Sequence, residues 1–243
     1  MIKKYTQFVN ESLKDKMIGK SDEEIESKLD NYSSKDLYNK SLKSGYLNGV
    51  KKSLESLKET ETKEKLKDLL GVGIFVASRE GYYDIVKFLL ENGADPNHHF
   101  NIAIRWAVTN GYTDIFNLLL EHGANIEKFF GEFLSSAIMN EHIDIKDILL
   151  KMGADIQDAF HYTISNWNNA DMILKYINNY DVDINYNDGE PLKKSLSSYR
   201  IDTMKCLLEN GADPNVIDID KLKSDNSESV KDIIQLLEEY KKK

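Results

Sequence analysis

The sequence predicts an all-α solenoid of stacked helix-turn-helix units, and three observations carry that prediction. A five-residue phrase returns along the chain: Gly93-Ala94-Asp95-Pro96-Asn97, Gly123-Ala124-Asn125-Ile126-Glu127, Gly153-Ala154-Asp155-Ile156-Gln157, a weakened Asp181-Val182-Asp183-Ile184-Asn185, and Gly211-Ala212-Asp213-Pro214-Asn215. Successive phrases start 30, 30, 28 and 30 residues apart. A period of this size belongs to arrays whose units cannot bury their apolar faces alone. Ahead of each phrase an aspartate precedes two apolar positions by five and six residues: Asp84 with Leu89-Leu90, Asp114 with Leu119-Leu120, Asp144 with Leu149-Leu150, Asp171 with Tyr176-Ile177, and Asp202 with Leu207-Leu208. Further upstream lies Ala-x-x-x-Gly, as in Ala77-Ser78-Arg79-Glu80-Gly81 and Ala107-Val108-Thr109-Asn110-Gly111.

Each observation has a mechanical reading. The aspartate opens a short amphipathic helix, in the first turn where the helix dipole favours negative charge. The glycine of the phrase ends that helix in a left-handed residue, a region only glycine enters cheaply. The upstream alanine lets neighbouring first helices approach, and its glycine turns the chain into the aspartate helix. The unit is helix, glycine turn, helix, glycine cap and connector.

In chain order, residues 1–20 read as a helix with Tyr5, Phe8, Val9, Ser12, Leu13 and Met17 along one side. Ser21-Asp22-Glu23-Glu24 is a capping box that opens a second helix through Leu29, with Ile25 inward. A polar break follows over residues 31–34, so residues 1–34 form an N-terminal helical leader or cap and residues 35–243 the array. The first repeat places Ser41, Gly45 and Val50 to Leu54 at the expected offsets. Its junction to the next is long, with 36 residues from Gly45 to Gly81, and the extra stretch from Thr60 to Leu70 adds a helical turn or two. Repeats follow at about 72–101, 102–131, 132–160, 161–189 and 190–218, making about six. A last helix from Ser229 to Tyr240 keeps Val230, Ile233, Ile234 and Leu237 on one face, as a terminal cap facing water requires.

The alanine-glycine turn, the apolar pair and Gly-Ala-Asp-x-Asn together resemble the ankyrin repeat, in five units that agree in register over roughly residues 35–240. The thirty-residue period, with Ala103-Ile104-Arg105-Trp106-Ala107, looks like the repeats abundant in giant DNA viruses. Ankyrin units run to about 33 residues and open on Thr-Pro-Leu-His. Here the shortfall falls in the connector, where ankyrins usually project a β-hairpin, and the opening motif survives as Glu190-Pro191-Leu192-Lys193. The resemblance therefore implies short fingers and little or no strand. Three connectors instead carry Phe100, Phe130 and Phe160. These are expected to pack beneath the shortened connector; the competing reading makes them exposed anchors for a partner.

Composition narrows the function. A chain of 243 residues with 41% hydrophobic content suits one elongated soluble domain. No run of eighteen apolar residues is present, and the start lacks the apolar stretch of a secretory signal. The one cysteine, Cys206, has no internal disulfide partner and reads as a small buried hydrophobe, consistent with a reducing cytoplasmic compartment. Residues 72–243 carry 17 basic and 28 acidic side chains, within a whole-chain net charge of −9. Such an array repels phosphate backbones, so no nucleic acid is expected. A basic protein surface is one partner it suits; solubility alone also accounts for the acid.

Catalytic, cofactor and metal readings find no support, and the chain is read as a non-enzyme. His98 and His99 are adjacent on a connector and expected to point apart, without a cysteine or carboxylate at ligand spacing. His122 and His142 fall at cap and turn positions, and His161 enters a helix. Gly71-Val72-Gly73 lacks the remaining glycine and the lysine of a phosphate loop. Acidic pairs such as Glu23-Glu24 lie on solvated faces, and nothing assembles a general acid–base pair.

A protein partner of unknown identity is the remaining expectation. In ankyrin arrays the contact surface is formed by connectors and by first-helix positions just before the glycine turn. The matching residues are Arg79, Glu80, Thr109, Asn110, Met139, Asn140, Asn166 and Trp167, with Arg105 and Trp106 nearby and His99 and Phe129 on connectors. Tryptophan and arginine are frequent hot spots, which puts Trp167 and Arg105 first; Trp106 divides between core and contact. With short fingers, the helix-borne positions are expected to dominate. The reading is of a viral module that binds and blocks a host protein, a defence factor among the candidates. The N-terminus adds an alternative. Lys3-Lys4-Tyr5-Thr6-Gln7-Phe8-Val9-Asn10-Glu11-Ser12 is similar to the capsid-targeting leaders of internal head proteins in T-even-like tailed phages. Those leaders are cut after an aliphatic-x-Glu triplet, which Val9-Asn10-Glu11 fits, placing a cut between Glu11 and Ser12 and the protein in the virion. The same residues also read as an ordinary amphipathic helix capping the first repeat.

Overall fold

The computed structural model describes residues 32–167, 169–225 and 227–242. The two expected N-terminal helices and the Glu11–Ser12 junction lie outside them. By its internal contacts the chain divides between Ile126 and Glu127 into two compact units.

Among its described residues the first unit holds three helix pairs: α1 (Ser34–Ser44) with α2 (Leu47–Thr60), α3 (Lys63–Glu80) with α4 (Tyr83–Glu91), and α5 (His98–Asn110) with α6 (Thr113–Glu121). First helices pack on first helices and second on second, giving two layers. The expected extra turns before Leu70 are present: α3 runs 18 residues, from a Thr62 cap whose side chain accepts from the Lys65 N–H. Two of the three second helices carry an aspartate in the first turn, Asp84 in α4 and Asp114 in α6, while α2 has no acidic residue there.

The recurrent small residue and the recurrent phrase do the same work at opposite ends of the unit. Ala77 and Ala107 are fully buried, and their carbonyls accept the Tyr82 and Tyr112 N–H at 2.9 Å, closing the first helix over a left-handed glycine. The phrase closes the second helix likewise: Ala94 and Ala124 donate to Leu89 and Leu119 at 2.9 and 3.0 Å, past Gly93 and Gly123 at φ 88° and 90°. Both are the paired bonds by which a helix satisfies its last carbonyls across a left-handed residue. Gly81 is held to glycine twice over, by φ 79° and because a Cβ there would stand 2.8 Å from the Tyr112 ring.

The second unit repeats the plan: α7 (Phe130–Met139) with α8 (Ile143–Lys151), α9 (Ile156–Asn166) with α10 (Ala170–Asn179), and α11 (Tyr186–Ser197) with α12 (Ile201–Glu209). The short α13 (Ile219–Leu222) and α14 (Glu228–Lys241) end it, with Val230, Ile233 and Leu237 of α14 buried. No strand occurs among the described residues, as the shortened connector implies. The weakened phrase has a structural counterpart. The chain leaves α10 through the extended Tyr180 at φ −136°, and Asp181, which stands where other repeats place a left-handed glycine, has no positive φ.

Three expectations need correction. Of the connector phenylalanines, Phe160 is fully buried, Phe130 is half-buried, and Phe100 is 85% exposed. Phe100 sits in a run of three left-handed residues, His99 to Asn101, that carries its ring away from the core while Asn101 is buried instead. His98 and His99 do not point apart; their ring centroids are 4.1 Å from each other. Finally, left-handed turns are not confined to glycine: Glu141 (φ 62°) and Tyr199 (φ 51°) occupy the turn that Gly81 and Gly111 make elsewhere.

Candidate functional site

In the first unit, the expected binding residues lie along the last turns of α3 and α5. The Arg79 guanidinium stands over the Phe75 ring, 5.3 Å from its centroid, and pairs with the Glu80 carboxylate at 2.7 Å. The Asn110 amide donates to the Arg79 carbonyl at 2.9 Å, so the end of α5 stitches onto the end of α3. Thr109 turns inward, donating to the Arg105 carbonyl at 2.9 Å. Burial alternates in register: Arg79, Arg105, Trp106 and Thr109 are half-buried, Glu80 and Asn110 exposed. Trp106 is thus neither core nor free of it. Its flanks explain this, since Ile104 and Ala107 face the core on either side.

In the second unit, Met139 and Asn140 repeat that half-buried and exposed pattern at the end of α7, and Asn140 caps its own helix through Ser136 O at 2.9 Å. Trp167 departs from the expectation that it is helix-borne. It is the residue after α9, extended at φ −128° and ψ 132°, and its N–H donates to Thr163 O. Its half-buried ring meets Tyr162 edge-on, with centroids 6.0 Å apart and planes at 90°. Tyr162 was not singled out by repeat register, although an aromatic five residues before Trp167, at the end of a predicted helix, was the available signal.

A groove of about 280 Å³ opens beside the α7–α8 turn, lined by Ile138, Ile143, Lys146, Lys175 and Tyr180 among others. Lys175 reaches back from α10 to donate to the Ile138 carbonyl at 3.0 Å and to the Glu141 carboxylate at 2.9 Å. That hydrogen bond and charge hold the Glu141 carboxyl below the usual carboxylate range. Lys175 lies 34 residues from Glu141, beyond any local pattern, so the pairing could not be read from the sequence.

The remaining chemistry-bearing groups are placed structurally. Cys206 is 4% exposed, and burial, followed by Glu209 and Asp171, pushes its thiol pKa up, away from a nucleophilic thiolate. Gly71 and Gly73 lie inside α3, where a Cβ would collide with His98 and with the Tyr38 hydroxyl respectively. Their role is close packing. Burial lowers the His98 pKa, and the neighbouring His99 adds to it. Among the described residues no group of three or more His, Cys, Asp and Glu side chains is disposed to hold a metal ion, and no helix is long and apolar enough to cross a membrane.

Comparison with known proteins places the repeat. No curated protein matches the chain in sequence. Among solved structures, the ankyrin repeat domain of Bcl-3, described as a unique member of the IkappaB protein family, is similar at 18% identity and a TM-score of 0.47, over 82% of this chain and 97% of that one. Residues 74–159 match the family described as ankyrin repeats, in three copies. That stretch runs from within α3 into α9 and contains the Ala-x-x-x-Gly turns and three of the five phrases. Residues 74–159 are therefore ankyrin repeats.

Proposed function

We propose that the chain is a non-catalytic protein-interaction module. One observation carries the reading: the last turn of successive first helices presents the same half-buried and exposed pair, Arg79-Glu80, Thr109-Asn110 and Met139-Asn140, with side chains that differ while the register holds. A fixed scaffold carrying variable half-buried side chains is what a binding surface needs, because such groups can be desolvated by a partner without first unfolding anything. Trp167 with Tyr162 in the second unit, and Arg105 with Arg79 in the first, supply the aromatic and guanidinium types that dominate interface energetics. The acidic balance favours a basic protein surface over nucleic acid.

The finer reading is a viral or phage protein acting in the host cytoplasm, where it sequesters or blocks a host protein, a defence factor among the candidates. The thirty-residue period and the leader-like first residues support that origin. Affinity capture from host lysate with mass spectrometry should recover one dominant partner. Trp167→Ala should weaken that complex more than tenfold, about 2 kcal/mol, as for an interfacial tryptophan, with the far-ultraviolet helical signal unchanged. Undiminished binding by the folded variant removes Trp167 from the site. The second reading, a packaged head protein, rests on Val9-Asn10-Glu11 and predicts a new N-terminus at Ser12 in peptide maps of purified virions. An intact Met1 in virions sinks it.

A further inference from the structure

Successive connectors of the array are clasped by side-chain amides. In the first unit, Asn97 donates to the Gly123 carbonyl at 2.9 Å and accepts the Asn125 N–H at 2.8 Å. In the second unit, Asn185 donates to the Gly211 carbonyl at 3.0 Å and accepts the Asp213 N–H at 2.9 Å. Gln157 does the same between α9 and the connector ahead of α11. Its Nε2 donates to the Asp183 carbonyl at 3.0 Å, and its Oε1 accepts the Asp183 N–H at 2.9 Å.

The Gln157 clasp differs in one respect. Its Nε2 also lies 3.0 Å from Nε2 of His161, one helical turn along α9. The corresponding position four residues on is Asn101 after Asn97 and Gly189 after Asn185, neither of which titrates. The amide of Gln157 cannot be flipped, since the Asp183 N–H requires oxygen on one side and the Asp183 carbonyl requires nitrogen on the other. Nitrogen therefore faces His161 with a hydrogen to donate, and only a neutral imidazole with its proton on Nδ1 can accept it. A protonated ring would set N–H against N–H. Turning the amide over to satisfy the imidazolium would oppose oxygen to oxygen and N–H to N–H at Asp183.

We propose that His161 is a proton-operated latch: protonation of its imidazole releases Gln157 from Asp183 and loosens the junction between the α9 and α11 repeats.

The surroundings supply little to hold the charged form. His161 is 7% exposed, with the Tyr186 ring 5.0 Å away across the junction. Charged groups near the ring are Lys194 and Glu190 on α11 and Asp158 and Asp155 on and before α9. From α7 and α10 the uncharged Ser135 and Tyr176 hydroxyls meet α9 at Thr163. Burial pushes the His161 pKa below the ordinary histidine value and Lys194 adds to the shift, while Glu190, Asp158 and Asp155 oppose it. A histidine lowered by folding contributes stability above its unfolded pKa, and that stability is lost as pH falls from there toward the folded pKa. The window therefore opens near pH ~6.5 and extends below it.

Hydrogen exchange on the full chain between about pH 7.5 and about pH 5, above the carboxylate range, tests the latch at three amides. After the intrinsic pH dependence of exchange is divided out, protection at Asp183 should fall by up to about tenfold per pH unit as pH drops from the ordinary histidine value toward the lowered value of the folded chain, and level off below it. Protection at Asn125 and Asp213, held by Asn97 and Asn185, should stay level. In His161→Gln, Asp183 should behave like the other two. Parallel behaviour of all three amides in the wild-type chain overturns the latch, as does a folded His161→Gln that keeps the wild-type pH response at Asp183. Should that variant not fold, the wild-type comparison alone decides.

Discussion

Tyr199 holds a backbone conformation that its side chain does nothing to favour. At φ 51° it makes the α11–α12 turn, with its ring 55% exposed. The equivalent turns at Gly45, Gly81 and Gly111 use glycine. A left-handed residue with a Cβ costs about 1–2 kcal/mol, against about 0.5–1 kcal/mol of extra unfolded-state freedom when glycine replaces it. Tyr199→Gly should therefore stabilise the chain by up to about 1 kcal/mol, read as a higher urea midpoint at unchanged slope. A lower midpoint would mean that the tyrosine ring holds the turn in place. Glu141 is a less clean case, because its carboxylate also pairs with Lys175. At this scale the sequence is legible where chemistry and conformation coincide, as at Gly81. It misleads where a neighbour's packing enforces a conformation that the residue type does not announce.

Between elements, the buried hydroxyls of the second unit tie three helices together. Thr163 of α9 is fully buried, donates to the Ala159 carbonyl at 2.9 Å, and lies 2.6 Å from the Ser135 hydroxyl of α7 and 3.4 Å from that of Tyr176 in α10. Burial raises the Tyr176 pKa, and hydrogen bonds with Thr163 and Ser135 oppose the shift. Thr163→Val keeps the shape but leaves two buried hydroxyls short of a partner. A loss of about 1–3 kcal/mol is expected, again measured by urea unfolding; a change within ~0.5 kcal/mol would show that the hydroxyls re-pair. None of this was visible beforehand, since the three residues are 28 and 13 positions apart and unremarkable singly. The connector clasps are intermediate. Their asparagines sit in the repeated phrase, yet which backbone groups they reach depends on how one repeat stacks on the next.

For the molecule as a whole, the separation of scaffold from surface makes the functional reading testable. Stability in a repeat array is a sum of local and nearest-neighbour contacts, so a half-buried ring such as Trp167 can be removed at modest cost to the fold. That is why Trp167→Ala is expected to lower binding while the helical signal survives. The setting of the candidate residues was legible in part. Repeat register gave Arg79, Thr109 and Met139 one common half-buried setting and Glu80, Asn110 and Asn140 one common exposed setting, because their spacing from the turn is constant. It placed Trp167 on the helix that Trp167 in fact follows, and passed over Tyr162, whose ring meets the Trp167 ring edge-on.

Local rules determined the repeat: small residue, turn, aspartate, apolar pair and glycine cap each satisfy a helix end or a helix face within some thirty residues, so their order along the chain is sufficient to predict the unit. Tertiary structure decided what each unit does with its variable positions. It buried Phe160 and expelled Phe100, gave left-handed turns to Glu141 and Tyr199, and set His161 against the Gln157 clasp, whose hydrogen bonds admit only a neutral ring. Those outcomes depend on which group the neighbouring repeat brings within 3–4 Å, and a period along the chain carries no information about that.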